Sequence, residues 1–136
     1  MLLLALLVWI LALATANLVS AFGNFAHRLI ATLVWERLEP DTRIGIRSLI
    51  GASSFSSLAC WADEVKHQPE YKWTQRLHFA DMPDDPPTYC AVDFTADDNV
   101  VSAAINFTRR ARKSKEDLAF MIHFLMDLHM PMHCSP

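Results

Sequence analysis

Apolar residues recur at helical spacing along most of the chain from residue 25 onward. In the first such segment they stand three or four positions apart: Phe25, Leu29, Ile30, Leu33, Val34 and Leu38. Because side chains at this spacing share one face of an α-helix, the pattern predicts a helix from Phe25 to Leu38. Pro40 with Asp41 ends this helix and begins a second one, from Asp41 to Ile50.

The same spacing predicts three more helices. They run from Ser53 to Lys66, from Thr95 to Arg112 and from Ser114 to Met130. Thr95 and Ser114 begin sequences that suit helix caps. The segment from Gln68 to Tyr89 contains four of the seven prolines, which predicts mainly loop, with an extended stretch from Trp73 to Ala80. No alternating pattern of the kind that predicts strands is present, so the predicted fold class is all-α.

The first residues form a separate apolar segment. Met1 to Val19 has no charged residue and is followed by Val19-Ser20-Ala21, a small-residue sequence typical of signal-peptide cleavage sites. We therefore predict a signal peptide over residues 1–21 and a mature chain from Phe22 that enters the secretory pathway and reaches the cell surface or the exterior. An uncleaved membrane anchor is the alternative, because the segment approaches the roughly 20 residues that span a bilayer.

Charge and length narrow the possible functions. The 136 residues have room for one small domain, and the formal net charge of −3 excludes a strongly basic nucleic-acid binder. The densest group of cations lies within residues 109–115. We interpret it as a solvated helix end, although such a patch could also attract polyanions.

Cysteine usage and one short motif agree with secretion. Asn106-Phe107-Thr108 is a sequon for N-glycosylation at Asn106. Cys60, Cys90 and Cys134 make an odd number, so at least one thiol is free or pairs with a cysteine outside this sequence. A disulfide between Cys60 and Cys134, or a thiolate metal ligand, stays open.

The last predicted helix and its exit carry the densest chemistry. His123 and Asp127 stand four positions apart and share one helix face, and Pro131 ends the helix so that His133 can turn back toward them. Imidazole and carboxylate groups gathered in this way are ligands that zinc prefers. His27, Asp63 and His78 are further candidates elsewhere in the chain.

These motifs and their order resemble the single-strand-specific zinc nucleases of the S1/P1 (class I) family, which includes the 3′-nucleotidase/nucleases. The matching segments are Phe22-Gly23-Asn24-Phe25-Ala26-His27, Trp61-Ala62-Asp63, Leu77-His78-Phe79, Asn106-Phe107-Thr108 and the stretch from His123 to His133. The resemblance implies a helical scaffold similar to zinc-dependent phospholipase C, with a trinuclear zinc site. The implied ligands are Phe22 (through its amine and carbonyl), His27, Asp63, His78, His123, Asp127 and His133.

The resemblance also implies roles for these residues. Asp63, His78, His123 and Asp127 would share one zinc, Asp127 would bridge to a second zinc held by His27 and Phe22, and His133 would bind the third. Asp63 and Lys66 would be catalytic, with Lys66 holding the phosphate. Phe79 would stack on a base, although ordinary core packing explains it equally well. The implied reaction is hydrolysis of the P–O3′ bond in single-stranded DNA, RNA and 3′-nucleotides to 5′-phosphorylated products, and no protein partner is expected.

Part of the family pattern has no counterpart in this sequence. The family supplies the other ligands of the third zinc from a His-x-x-x-Asp motif further along the chain. The resemblance also implies that Cys90 forms a disulfide with a cysteine of the family's C-terminal half. We therefore expect residues 22–136 to be the N-terminal part of a truncated nuclease domain, with membrane anchoring only through an uncleaved N-terminus or a missing C-terminus. A phospholipase C-like phosphodiesterase and a catalytically inactive zinc-binding module are the alternatives.

Overall fold

The computed structural model describes residues 23–81 and 95–133, and within them the chain is helical without any strand. The five α-helices are α1 (Asn24–Arg37), α2 (Pro40–Ile50), α3 (Phe55–Val65), α4 (Val100–Arg110) and α5 (Lys115–Leu128), and two 3-10 helices span Pro69–His78 and Pro131–His133. The all-α prediction is confirmed. The predicted signal peptide, Phe22, Cys90 and Cys134 lie outside the described residues.

Local sequence explains where most helices begin. Pro40 occupies the first turn of α2, and Gly51, at φ 60°, ends that helix in a conformation that other residues rarely adopt. Ser54 and Ser114 cap α3 and α5, each by accepting a hydrogen bond from a backbone N–H three residues later. The Ser114 cap therefore agrees with the prediction from sequence.

Two secondary-structure predictions are wrong. The helix predicted from Thr95 begins at Val100, because the Asn99 side chain accepts hydrogen bonds from the N–H groups of Val101 and Ser102 and forms a capping box with Ser102. The stretch from Trp73 to Ala80 is not extended, since Pro69–His78 is a 3-10 helix with Pro69 in its first turn.

The core lies along α5, which packs against α4 on one side and α3 on the other, while α1 packs against α3. Aliphatic residues dominate the core near α1: Ala31, Ile50, Leu58, Leu118, Ile122 and Met126. Aromatic residues dominate it near α4: Phe107, Phe120 and Phe124, with Trp61 and Tyr71 at the edge. Among the described residues, the longest helices have 14 residues and none is apolar and long enough to cross a bilayer.

Candidate metal centre

Four imidazoles and a carboxylate are buried together where the ends of several elements meet. They come from α1, α5 and the two 3-10 helices: His27, His78, His123, Asp127 and His133. His27, His78, His123 and Asp127 are at most 1% exposed. Asp63, on the last turn of α3, closes the group from its solvent side and keeps 27% of its side chain exposed. We call these six residues the His–Asp cluster.

The chain reverses direction after α5 and so brings His133 back to the cluster. Pro131 starts the second 3-10 helix. The Nδ1–H of His133 donates to the carbonyl oxygen of His78 (2.7 Å), and the N–H of Ala80 donates to the carbonyl oxygen of His133 (2.7 Å). These two bonds tie the ends of the two 3-10 helices together, which positions His78 and His133 side by side.

Two imidazole nitrogens in the cluster lie close to two carboxylate oxygens and to each other. Asp127 Oδ2 lies 2.9 Å from His78 Nδ1 and 3.0 Å from His123 Nε2, and these two nitrogens are 3.0 Å apart. Asp63 Oδ1 lies 3.6 Å from His123 Nε2 and 3.7 Å from His78 Nδ1. Two nitrogens and two carboxylate oxygens therefore converge.

The second carboxylate oxygen of Asp127 faces two other histidines. Asp127 Oδ1 lies 3.4 Å from His27 Nε2 and 3.5 Å from His133 Nδ1. The His27 ring stacks on the His123 ring with centroids 4.2 Å apart. Asp127 is thus shared between the two parts of the cluster, one on each of its oxygens.

A backbone group orients His123. Its Nδ1–H donates to the carbonyl oxygen of Ala59 on α3 (2.7 Å), so Nε2 is the atom that faces the cluster. Hydrogen bonds of this kind fix the tautomer and orientation of metal-binding histidines. Sequence reasoning missed Ala59 and the carbonyl role of His78, because a backbone oxygen leaves no residue-type signal.

The cluster shifts the pKa of its members in opposite directions. Burial alone would raise the pKa of Asp127, but the imidazoles of His123, His27 and His78 around the carboxylate lower it well below the ordinary range. Burial lowers the pKa of His78. Burial would also lower the pKa of His123, but its hydrogen bond to Asp127 and the negative charges of Asp127 and Asp63 raise it.

The same balance applies to Asp63 at the edge. Burial would raise its pKa, yet the charge of His123 and the Lys66 ammonium group lower it. The Lys66 ammonium donates to Asp63 Oδ1 at 2.8 Å. Asp63 is therefore ionised at neutral pH and already holds a cation next to the cluster.

Two buried atoms of the cluster lack a hydrogen-bond partner among the described residues. They are His78 Nε2 and Asp127 Oδ1. Buried polar atoms are nearly always satisfied in native proteins, so such atoms in one cluster indicate a site that takes a further group. Two sets of residues are close enough to bind a metal ion: His27 with His123 and Asp127, and Asp63 with His78 and His123.

The other predicted site residues lie around the cluster or away from it. Phe79 follows His78, is 37% exposed, and has its ring centroid 4.8 Å from that of His133. Asn106 is exposed on α4, a helix that contributes no residue to the cluster. Cys60 is a buried free thiol that donates to the carbonyl oxygen of Asn24, and Phe22 immediately precedes the described residues.

Comparisons with known proteins give the family. A family model described as S1/P1 nuclease matches residues 22–136. Nuclease P1 of Penicillium citrinum is 33% identical over 126 residues, which cover 82% of this chain and 47% of nuclease P1. Nuclease S1 of Aspergillus oryzae is 30% identical over 134 residues, covering 89% of this chain and 47% of that protein.

A plant relative gives the same result. Endonuclease 3 of Arabidopsis thaliana is 30% identical over 128 residues, covering 82% of this chain and 44% of the plant protein. The chain thus spans about half the length of the curated relatives it matches. Since the family model covers all of the sequence after residue 21, the chain belongs to the S1/P1 nuclease family.

Proposed function

We propose that this chain is the metal-binding part of a zinc-dependent nuclease that hydrolyses single-stranded DNA and RNA to 5′-phosphorylated products and acts on 3′-nucleotides. The observation that carries the proposal is the close approach of the His78 and His123 nitrogens to carboxylate oxygens of Asp127 and Asp63 inside a buried cluster. Relatives named as nucleases support the reaction class.

The donor set fits zinc. Zinc in proteins is bound by imidazole nitrogen and carboxylate oxygen at about 2.0–2.2 Å, so atoms sharing one tetrahedral ion lie roughly 3.3–3.6 Å apart. The two imidazole nitrogens lie 2.9–3.7 Å from each other and from the carboxylate oxygens of Asp127 and Asp63, and these separations bracket that value. His27 Nε2 would extend the site on the Oδ1 side of Asp127. His133, whose Nδ1–H donates to the His78 carbonyl, would bind metal through its other ring nitrogen.

The chain's own residues would position the substrate around the metal. Zinc bound in the cluster would supply Lewis-acid activation of water and of the phosphate ester. The Lys66 ammonium, held by Asp63 at the partly exposed edge, would attract the phosphate group. The Ala59 and His78 carbonyl groups would keep the imidazoles of His123 and His133 oriented for metal binding.

Phe79 supports specificity for single strands. One part of its ring packs beside His133, yet 37% of the residue stays exposed next to the cluster. An exposed aromatic ring can stack on an unpaired base of any sequence, whereas bases in a duplex are already stacked. The exposed Phe79 favours a nucleotide substrate over a phospholipid one.

We also propose that the chain is secreted and that the mature protein begins at Phe22. Gly23 directly precedes α1, and His27, one turn into that helix, lies in the cluster. Cleavage before Phe22 would therefore create a free amine five residues before His27 in the sequence. Intact mass of the protein from a secretory host tests this: a mass that retains residues 1–21 would contradict it.

The test of the enzymatic proposal combines zinc content with hydrolysis on one sample. We expect bound zinc, release of acid-soluble nucleotides from single-stranded DNA in excess over duplex DNA, and loss of both on chelation. His78→Asn should abolish the release, while His67→Asn, a change to an exposed histidine outside the cluster, should not. Bound zinc without hydrolysis would overturn the enzymatic proposal for this chain, and hydrolysis of phosphatidylcholine instead would favour a phospholipase.

A further inference from the structure

We propose that the groove around Trp73 and Arg109 is a second subsite for single-stranded nucleic acid, continuous with the Phe79 side of the His–Asp cluster. This inference rests on the proposed function. It adds a contact for a strand that extends beyond the nucleotide at the metal centre. The four observations that carry it are the shape of the groove, the fixed tryptophan ring, the connection to Phe79 and the position of the cations.

The groove lies between α4 and the first 3-10 helix and has a volume of about 560 Å³. Trp73 and Leu77 form one wall, and Phe107 with Arg109 belongs to the other. A groove of this size falls in the range typical of small-ligand sites. It offers both apolar surface and a cation, which are the two features that a nucleotide requires.

Trp73 is an exposed aromatic ring that is held in place. It is 59% exposed, and its indole N–H donates to the carbonyl oxygen of Glu70 (3.0 Å). Its ring centroid lies 6.1 Å from that of Phe120 in the core. A ring fixed on one side and open on the other is a stacking platform, and stacking on such platforms tolerates any base.

The groove connects with the metal centre. It shares Ala96 and Asp98 with a neighbouring pocket of about 180 Å³ that Phe79 lines. Phe79 in turn contacts His133 of the cluster. Trp73 and Phe79 are six residues apart, which corresponds to roughly 12 Å of 3-10 helix, so one base cannot stack on both rings. Two bases of one strand can instead stack on the two rings, one on each.

Cations lie at the far end of the groove. Residues 109–115 contain five of the twelve Lys and Arg residues of the chain. Arg110 is paired with Asp117 (2.8 Å), whereas Arg109, Arg112 and Lys113 form no ion pair with the described residues. The phosphates of a strand that leaves the groove would therefore meet free positive charge.

Carboxylates at the opposite side of the groove limit the orientation of the strand. Asp97 and Asp98 line that side, and Asp98 pairs with Arg76 (3.0 Å). Asp97 would repel a phosphate there. The charges thus direct the phosphate backbone toward Arg109. The edge of the base then faces the acidic side, where N–H groups of the base, including the imide of thymine, can donate to a carboxylate.

The predicted glycosylation site lies in the same groove. Asn106 is exposed and lines it together with Trp73. A glycan on Asn106 would fill the space that a base needs, so a glycosylated molecule should bind a strand as weakly as one without Trp73. The experiment therefore uses the full chain with Thr108→Ala, which removes the sequon without changing a groove residue, and compares it with the glycosylated protein.

The test is the fluorescence anisotropy of a labelled phosphorothioate oligothymidylate, which is slow to hydrolyse. Trp73→Ala should raise the Kd by roughly 5- to 100-fold, the range for loss of one stacked base, and Trp73→Phe should recover most of the affinity. Replacing Arg109, Arg112 and Lys113 by Gln should lower the slope of log Kd against log salt by about 0.7 for each phosphate that no longer meets a cation. Arg37→Gln removes one positive charge at the end of α1, outside the groove, and should leave both the Kd and the slope unchanged.

Hydrolysis of a 3′-mononucleotide by the same proteins separates this inference from the proposed function. The subsite predicts a much larger effect of Trp73→Ala on the strand than on the mononucleotide. An unchanged Kd for the strand, with zinc-dependent hydrolysis intact, would overturn the subsite and leave the proposed function. Strand binding that depends on Trp73 without any hydrolysis would overturn the proposed function and leave the subsite.

Discussion

The aromatic core and the His–Asp cluster are both buried against α5, yet their interactions differ. In the aromatic core the rings of Phe107, Phe120 and Phe124 lie 4.8–5.6 Å apart and bury only apolar surface. In the cluster, His78 and Asp127 are as deeply buried, but His78 Nε2 and Asp127 Oδ1 lack a hydrogen-bond partner among the described residues. Phe124 contacts both regions, since its ring lies 5.1 Å from that of His78.

The aromatic core therefore stabilises the fold, whereas the buried polar groups of the His–Asp cluster destabilise it unless they are neutralised. Burying aromatic surface stabilises the folded state by itself. Burying imidazoles and a carboxylate costs free energy unless charge and hydrogen bonds are balanced, and a bound cation supplies that balance. The cluster should therefore depend on metal, whereas the aromatic core should not.

The largest expected effect comes from Asp127→Asn. The substitution keeps the shape but removes the charge that both parts of the cluster share. Since changes to groups that only orient a ligand already cost 10- to 100-fold in metal affinity, we expect the loss here to exceed about 100-fold. Competition with a chelator of known affinity measures it, and the increase in Tm on adding zinc should disappear.

The histidine that caps the end of the same helix provides the control. His129, six residues after His123, is exposed and donates to the carbonyl oxygen of Leu125. His129→Asn should leave zinc affinity unchanged, whereas His123→Asn should behave like Asp127→Asn. Equal effects of the two histidine variants would mean that burial in the cluster does not determine metal binding.

Phe124→Ala should show the opposite pattern. Removing a fully buried Phe from a packed core costs about 3–5 kcal/mol in unfolding free energy. We expect a similar loss in the presence and absence of zinc, with zinc affinity of the folded protein changing less than for Asp127→Asn. Urea unfolding with and without zinc tests it, and a loss seen only with zinc would show that Phe124 acts through His78.

The sequence predicted the helices of the aromatic core and part of the cluster, for physical reasons. The i, i+4 spacing placed His123 and Asp127 on one face of α5, and the Ser114 cap follows from local chemistry. His27, Asp63 and His78 come from separate elements, so only the family resemblance grouped them. The contacts of Ala59 and the 3-10 helix depend on tertiary packing and backbone atoms, which residue periodicity does not encode.

The pH dependence should also differ between the zinc-free and zinc-bound forms. In the zinc-free protein the pKa of His123 is raised, so protonated His123 stabilises the folded state. This contribution is complete below about pH 6.5, the ordinary pKa of histidine, and disappears as pH rises through the raised pKa. The lowered pKa of Asp127 means that its carboxylate also stabilises the folded state. This contribution is complete above about pH 4 and is lost as pH falls toward the lowered pKa. Zinc requires neutral His123, so its affinity should rise by up to about tenfold per pH unit until the pKa of His123 is passed.

Denaturant titrations at several pH values, with and without zinc, test this prediction. From about pH 6.5 upward, where protonated His123 loses its proton, the stability of the zinc-free protein should fall while that of the zinc-bound protein rises. Below about pH 6.5 the lowered pKa of His78 acts in the opposite direction, so this range does not enter the comparison. Parallel pH profiles for the two forms would contradict the assignment of His123 as a zinc ligand.

Ser114→Ala should have the smallest effect and should affect both regions equally. The Ser114 hydroxyl accepts the N–H of Asp117 at the start of α5. Ser114 stands about two turns before Phe120 of the aromatic core and about three and a half turns before Asp127. Losing such a cap costs about 1 kcal/mol. Because the cap stabilises the helix on which both regions depend, unfolding free energy should fall by the same amount with and without zinc, and zinc affinity of the folded state should stay unchanged. Ser48→Ala, a change to an exposed serine within α2, is the control. A decrease in zinc affinity for Ser114→Ala would show that fraying at the start of α5 reaches His123, in which case the cluster depends on the whole helix rather than on its own hydrogen bonds.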